Sequence, residues 1–201
     1  LICVYINQLI EFGKDRKLQM DVIVRVLAFW FEDGFDKRRK AWFAKNADFD
    51  AQIRTQFWDD VEKASKGEFD KFSETPKGAL ALMIFLDQFP RNIFREDPKA
   101  YATDAKALKI SKQAIANGLD ANLSIFQKIF FYLPFEHSEN MDDQNQAVEL
   151  CQALGDEDYL KYAIAHRNVI EKFDRFPHRN KVLGRVSTAD EIEFLLRFGS
   201  F

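Results

Sequence analysis

Two stretches of this chain, residues 79–89 and 123–133, are apolar on almost every side. A helix of this kind has to lie in the protein interior, because any exposed face would present hydrocarbon to water. Elsewhere apolar residues recur at helical spacing, as Phe49, Ile53 and Phe57 do, and strand signals are nearly absent. The pattern predicts an all-α fold in which two central helices are surrounded by amphipathic ones.

Capping residues and glycines mark the ends of these helices. Thr75 followed by Pro76 is a helix start, Gly155 is a stop, and Thr188 with Glu191 has the spacing of a capping box. The connections are only a few residues long, which favours antiparallel packing of consecutive helices. We expect eight or nine helices in stacked antiparallel hairpins, similar to a tetratricopeptide-like superhelical array, although no period of about 34 residues is visible.

Charge and cysteine content exclude several classes of protein. The chain has 29 basic and 32 acidic residues, a net charge of -3, so neither nucleic acid nor a membrane surface is an expected partner. Cys3 and Cys151 are in no disulfide or zinc-ligand spacing, which is typical of a cytoplasmic protein. The first apolar run is too short for a membrane span. We interpret residues 1–19 as an extension and residues 20–201 as a single all-helical domain.

The polar residues with unusual chemistry fall in three short segments. Residues 86–92 and 173–180 nearly repeat each other, each with a Phe-Pro pair before an Arg-Asn pair, and residues 133–139 carry a Glu-His pair. Because proline interrupts helices, we expect a helix to end at Leu133, before Pro134. The two Phe-Pro pairs are then predicted to be chain reversals that deliver their Arg-Asn pairs, with Glu136 and His137 delivered by a third.

A carboxylate at Asp87, on a helix with apolar faces, needs a cation or several donors. Arg91 and Arg179 are the candidates, and either could instead clamp an anionic ligand. His137 and His178 lie near helix breaks and are the candidate catalytic residues, whereas His166 faces the core of its own helix. The complete set of candidate binding residues is Asp87, Gln88, Arg91, Asn92, Glu136, His137, His178, Arg179 and Asn180.

Three functions remain open for this polar set. It could form a pocket for a small, anionic ligand, with or without a reaction. It could be a structural network in a scaffold that binds a protein or peptide partner, or a structural network only. No metal-ligand spacing such as HExxH is present, and we expect no metal and no cofactor.

Six motifs occur in a fixed order along the chain, and together they resemble family 924 of the bacterial domains of unknown function. The resemblance extends from residue 20 to residue 201 and implies a compact, all-helical, tetratricopeptide-like fold, with no established activity or cofactor. Its motifs are VLAFWF at 26–31, WFAK at 42–45, LDQFPRNIFR at 86–95, YATDAKAL at 101–108, YLPFEHSE at 132–139 and RFPHRNKVLGR at 175–185.

Overall fold

A computed structural model describes residues 20–199, and no strand is present in that part of the chain. The helices are α1 (20–30), α2 (Ala47–Ser65), α3 (Pro76–Met83), α4 (Phe89–Ile93), α5 (Asp104–Ala116), α6 (Ile125–Glu136), α7 (Met141–Leu154), α8 (Glu157–Phe173) and α9 (Ala189–Phe198). A π-helical turn, Ile84–Gln88, joins α3 to α4. The all-α prediction is confirmed, while the tetratricopeptide-like arrangement stays a prediction.

The predicted caps lie where the helices begin and end. The Thr75 side chain accepts a hydrogen bond from the Gly78 amide at the start of α3. Thr188 and Glu191 form the reciprocal capping box of α9. Gly155 ends α7 with a φ of 73°, a left-handed conformation that favours glycine. Local side-chain chemistry therefore determines these boundaries.

The two apolar stretches form the centre of the molecule, as predicted. Residues 79–86 are 0% exposed, and residues 129–136 of α6 are buried beside them. Aromatic rings join the central helices to α1: the Trp30 ring lies 5.5 Å from Phe89 and 5.6 Å from Phe130, both edge-to-face. Helices α5, α7 and α8 pack against α6 and complete the layers around it.

The predicted chain reversal at Phe89-Pro90 is wrong, because the backbone stays helical from α3 through the π-helical turn into α4. The Phe89 amide donates to the Ile84 carbonyl, and this wider turn accommodates Pro90 one residue later. Proline has no N–H for the Leu86 carbonyl. The Thr103 hydroxyl donates to that carbonyl instead, at 2.5 Å.

This substitute hydrogen bond gives a direct prediction. Thr103→Val keeps the shape of the side chain but leaves the Leu86 carbonyl unpaired in the interior, so we expect a loss of about 1–3 kcal/mol in the free energy of unfolding. The matched control is Thr55→Val, because Thr55 is exposed and its hydroxyl donates to the Ala51 carbonyl. Urea denaturation should show less than about 0.5 kcal/mol for the control. Equal losses in both variants would contradict the role of Thr103.

The predicted helix end at Leu133 is also wrong, since α6 continues through Pro134 to Glu136. Proline removes only its own N–H from the helix, and the next amides are still paired: that of His137 donates to the Leu133 carbonyl at 2.9 Å. His137 is therefore the C-cap of α6 and is held by the helix that precedes it.

The second Phe-Pro pair is a true break, as predicted. Helix α8 ends at Phe173, and Asp174 adopts a left-handed conformation with a φ of 56°. A 3₁₀ turn, Pro177–Arg179, then contains Arg179 and has Asn180 as its C-cap. The two similar segments thus have different backbones.

The predictions for residues 1–19, which include Cys3, lie outside the described residues. Cys151, on α7, is a buried free thiol. Within the described part of the chain, no helix combines the length and the apolar character that crossing a membrane requires.

Candidate functional site

A surface cleft of about 410 Å³ lies where the beginning of α5, the end of α6 and the segment after α8 meet. Its apolar wall includes Leu108, Pro134 and Leu183. The polar and aromatic residues that line it include Tyr101, Asp104, His137, Glu139, Arg179 and Arg185. Two of the nine predicted binding residues, His137 and Arg179, line this cleft.

Asp104 brings the two Arg-Asn segments together. Both guanidinium Nη atoms of Arg91 donate to its carboxylate, each at 2.9 Å. Arg179 also approaches this carboxylate, with its Nη1 3.5 Å from Oδ2. The arginines of the repeated segments therefore converge, but on a residue that was not among the nine predicted binding residues.

Asp87 is fully buried on the π-helical turn behind the cleft. His137 Nδ1 lies 2.7 Å from its Oδ1, the Gln88 side-chain amide donates to Oδ2, and Arg91 Nη1 lies 3.4 Å from Oδ1. Burial raises the pKa of Asp87, but the charge of Arg91 and the His137 and Gln88 hydrogen bonds outweigh it and lower that pKa to about 2. Asp87 is therefore ionised, and Arg91 is the predicted cation beside it.

His137 connects buried Asp87 to the cleft. Its side chain is 14% exposed. Burial and the charge of Arg91 lower its pKa below the usual value, although the Asp87 carboxylate acts in the opposite direction. The imidazole is therefore neutral at pH 7, and because a carboxylate only accepts hydrogen bonds, Nδ1 carries the proton.

Arg179 is buried between two aromatic rings. Its guanidinium carbon lies 4.6 Å from the centre of the Tyr101 ring and 4.5 Å from that of Phe176. Its Nε is buried and has no hydrogen-bond partner among residues 20–199. Burial and the nearby charge of Arg91 lower the pKa of Arg179 to about 10, so it remains cationic at pH 7.

Glu136 lies in a second buried group, behind the cleft. The Cys151 thiol donates to its Oε1 at 3.5 Å, and His166 Nδ1 lies 3.6 Å from its Oε2. Burial is the largest influence on the pKa of Glu136 and, together with the Asp87 charge, raises it to about 8. Burial lowers the pKa of His166 to about 4. Glu136 is consequently a neutral acid at pH 7.

Three other predicted binding residues do not line the cleft. The Asn92 amide donates to Asp50 on α2 at 2.8 Å, and the Asn180 amide donates to the Ser187 hydroxyl at 3.1 Å. His178 packs with its ring 5.6 Å from that of Phe176, and burial lowers its pKa to about 3. The two asparagines therefore form hydrogen bonds that join separate segments of the fold.

Comparison with known proteins agrees with this fold. The family model described as "Bacterial protein of unknown function (DUF924)" matches residues 26–199. The chain belongs to this family. A solved structure, that of the protein of unknown function ATU0120 from Agrobacterium tumefaciens, is similar at 41% sequence identity with a TM-score of 0.81. The alignment covers 90% of this chain and 98% of that chain. No curated protein matches the chain.

Four further residues of the cleft in this family member, two of them charged partners of each other, were not predicted as binding residues. Tyr101 and Asp104 lie in the motif at 101–108, and Glu139 and Arg185 end two later motifs. Glu139 accepts hydrogen bonds from Arg185 at 3.0 Å and from the Phe176 amide at 2.8 Å. The motifs that define the family resemblance thus already contained the missing residues.

The cleft offers this family member two chemical groups. Arg179 presents a fixed cation, and His137 presents a neutral imidazole oriented by a carboxylate. Within residues 20–199, no three His, Cys, Asp or Glu side chains are grouped as a metal ion would require. An anion and a transferable proton are the species that such groups recognise.

Proposed function

We propose that this protein binds a small organic anion in the cleft, with the anionic group on Arg179. The observation that supports the proposal is the state of that side chain: buried, cationic and fixed between two rings, with its Nε unpaired. A carboxylate or phosphate group in the cleft would supply strong acceptors for the Arg179 guanidinium, since this residue lines the cleft.

Arg91 and Arg179 differ in how many of their N–H groups are hydrogen-bonded within the fold. Arg91 donates twice to Asp104 at 2.9 Å and once to the Asp87 carbonyl at 2.6 Å, so its donors are used inside the fold. Among residues 20–199, Arg179 makes a single ion-pair approach, at 3.5 Å, to an oxygen that Arg91 already binds. Its aromatic neighbours hold the guanidinium plane by stacking, which leaves the N–H groups available for a ligand.

The cleft also favours a ligand with an apolar portion. A volume of about 410 Å³ suits a small molecule, and Leu108, Pro134 and Leu183 supply hydrocarbon beside the polar residues. Arg185, by contrast, is paired with Glu139 at 2.9 Å. We therefore expect one anionic group on the ligand, bound by Arg179, with its apolar portion against these three side chains.

Calorimetric titration tests this proposal with benzoate, phenyl phosphate and inorganic phosphate as probes. We expect the wild-type protein to bind at least one of the organic probes more tightly than inorganic phosphate. Arg179→Gln should weaken that binding by about 10- to 100-fold, because it removes a charged hydrogen bond. Arg197→Gln, which changes an exposed arginine on α9, should leave it unchanged.

Stability measurements separate ligand binding from a structural role. Because the buried Nε of Arg179 has no partner, Arg179→Gln should preserve the melting temperature or raise it. A sharp fall in melting temperature would mean that Arg179 holds the fold together. Absence of binding to all three probes would contradict the proposed function.

A further inference from the structure

We infer that His137 and Asp87 form a proton-transfer pair, in which His137 Nε2 accepts a proton from a hydroxyl group of the anion bound in the cleft. The inference rests on the proposed function, because Arg179 would hold that anion. The ligand class it specifies is a small hydroxylated organic acid or its phosphate counterpart.

The geometry of the pair determines which nitrogen is available. The 2.7 Å contact between Nδ1 and the Asp87 carboxylate requires a proton on Nδ1, which leaves the Nε2 lone pair unprotonated in a neutral ring. Nδ1 contacts a fully buried residue and His137 lines the cleft, so the inference assigns Nε2 to the cleft side of the ring.

Asp87 is itself held in place. Gln88 donates to its Oδ2, while Arg91 lies near Oδ1 and donates to its backbone carbonyl. A carboxylate fixed in this way keeps the imidazole in one tautomer and stabilises the imidazolium that proton uptake would form. Asp87 is thus a positioning residue, and His137 is the residue that faces the ligand.

The other two histidines of the chain have different surroundings. His166 Nδ1 lies 2.9 Å from the Tyr162 carbonyl within its own helix, and neither His166 nor His178 lines the cleft. The 2.7 Å contact with Asp87 is made by His137, so the assigned tautomer applies to His137.

The proposed step is balanced without another reactant. The ligand O–H bond breaks, its electron pair stays on oxygen, and the proton forms an N–H bond with Nε2. The imidazolium is paired with Asp87, and the alkoxide that forms lies in the same cleft as the Arg179 cation. No oxidant or reductant is consumed, and His137 returns the proton in the reverse direction.

Long-range ¹⁵N NMR of the histidine rings tests the assignment on the wild-type protein at pH 7. We expect His137 to show the Nδ1–H tautomer with an unprotonated Nε2. In Asp87→Asn, the Gln88 side-chain amide should keep the oxygen of the introduced amide at the former Oδ2 position. The nitrogen of the introduced amide then faces His137 Nδ1, and because it donates a hydrogen bond, the His137 proton should move to Nε2. A wild-type Nε2–H tautomer would overturn the inference. This measurement does not depend on whether any variant folds.

Reaction with diethylpyrocarbonate, followed by peptide mass spectrometry, gives an independent readout. The unprotonated Nε2 attacks the reagent, so His137 should be modified in the wild type and at least about 10-fold more slowly in Asp87→Asn. His178→Gln is the control and should leave the rate at His137 unchanged. Unchanged rates in Asp87→Asn would overturn the inference. Titration of the same variant with benzoate tests anion binding separately, so failure of one proposal does not imply failure of the other.

Discussion

Replacing Arg91 with alanine is expected to lower the free energy of unfolding by about 3–5 kcal/mol. The guanidinium pairs with Asp104 through two hydrogen bonds and lies 3.4 Å from the carboxylate of fully buried Asp87. Within the described part of the chain, truncation leaves Asp87 with the His137 and Gln88 hydrogen bonds to offset its burial. The uncompensated charge, more than the lost contacts, accounts for the size of the effect.

Arg95→Ala is the matched control, because Arg95 is exposed, follows α4 and is paired with Asp50, which keeps the Asn92 hydrogen bond when Arg95 is removed. An ion pair with an exposed arginine contributes less than about 1 kcal/mol, so this variant should unfold near the wild type in urea at pH 7. If Arg91→Ala loses no more stability than Arg95→Ala, Asp87 does not depend on Arg91. The interpretation of the Asp87 environment would then be wrong.

The expected contrast between Arg91 and Arg179 distinguishes two roles within one repeated sequence pattern. Arg91 uses its donors inside the fold, whereas Arg179 has a buried, unpaired Nε and lines the cleft. Loss of stability should therefore follow Arg91, and loss of anion binding should follow Arg179. The near-repeat in the sequence indicates where the two arginines converge but not which of them is the binding residue.

Much of the fold could be predicted because its signals are local. The all-round apolar segments determine which helices are central, and side-chain caps such as Thr75 and Thr188 determine where helices begin. The two errors both involve proline. At Pro90 the missing hydrogen bond is replaced by Thr103, which is distant in sequence, and such a partner has no local signature.

The site was predicted only in part, because its geometry depends on which way each side chain points. The π-helical turn ends immediately before the Phe-Pro pair, and Asn92 turns toward α2 while Arg91 turns toward Asp104. Asp104 has no feature of its own in the sequence. Its importance comes from the two arginines that reach it from segments far apart in the chain.

The buried acid Glu136 should make stability fall as the pH rises. Its pKa is about 8 in the folded protein, against an ordinary value of 4.5. Below about pH 4.5 it is protonated in both states. Between these values the unfolded chain releases the proton while the folded protein keeps it, so the free energy of unfolding decreases. From this shift we expect a loss on the order of 4 kcal/mol by pH 9.

Glu136→Gln should remove most of that dependence, because glutamine resembles the protonated acid and does not titrate. We expect the variant to be more stable than the wild type at pH 9, and the difference to shrink steadily toward pH 5. Urea denaturation at pH 5, 7 and 9 measures the difference between the two proteins. Glu62→Gln, which replaces a partly exposed acid paired with Lys66, should follow the wild type.

Parallel curves for Glu136→Gln and the wild type would show that Glu136 is ionised in the folded protein. That result would also change the electrostatics of the cleft, because a second carboxylate would lie behind His137 in addition to Asp87. If instead the two curves converge toward pH 5, Glu136 is neutral in the folded protein and Asp87 is the charged partner of His137. The Nδ1–H tautomer then follows from a single hydrogen bond, and Nε2 is the atom left to act on a bound anion.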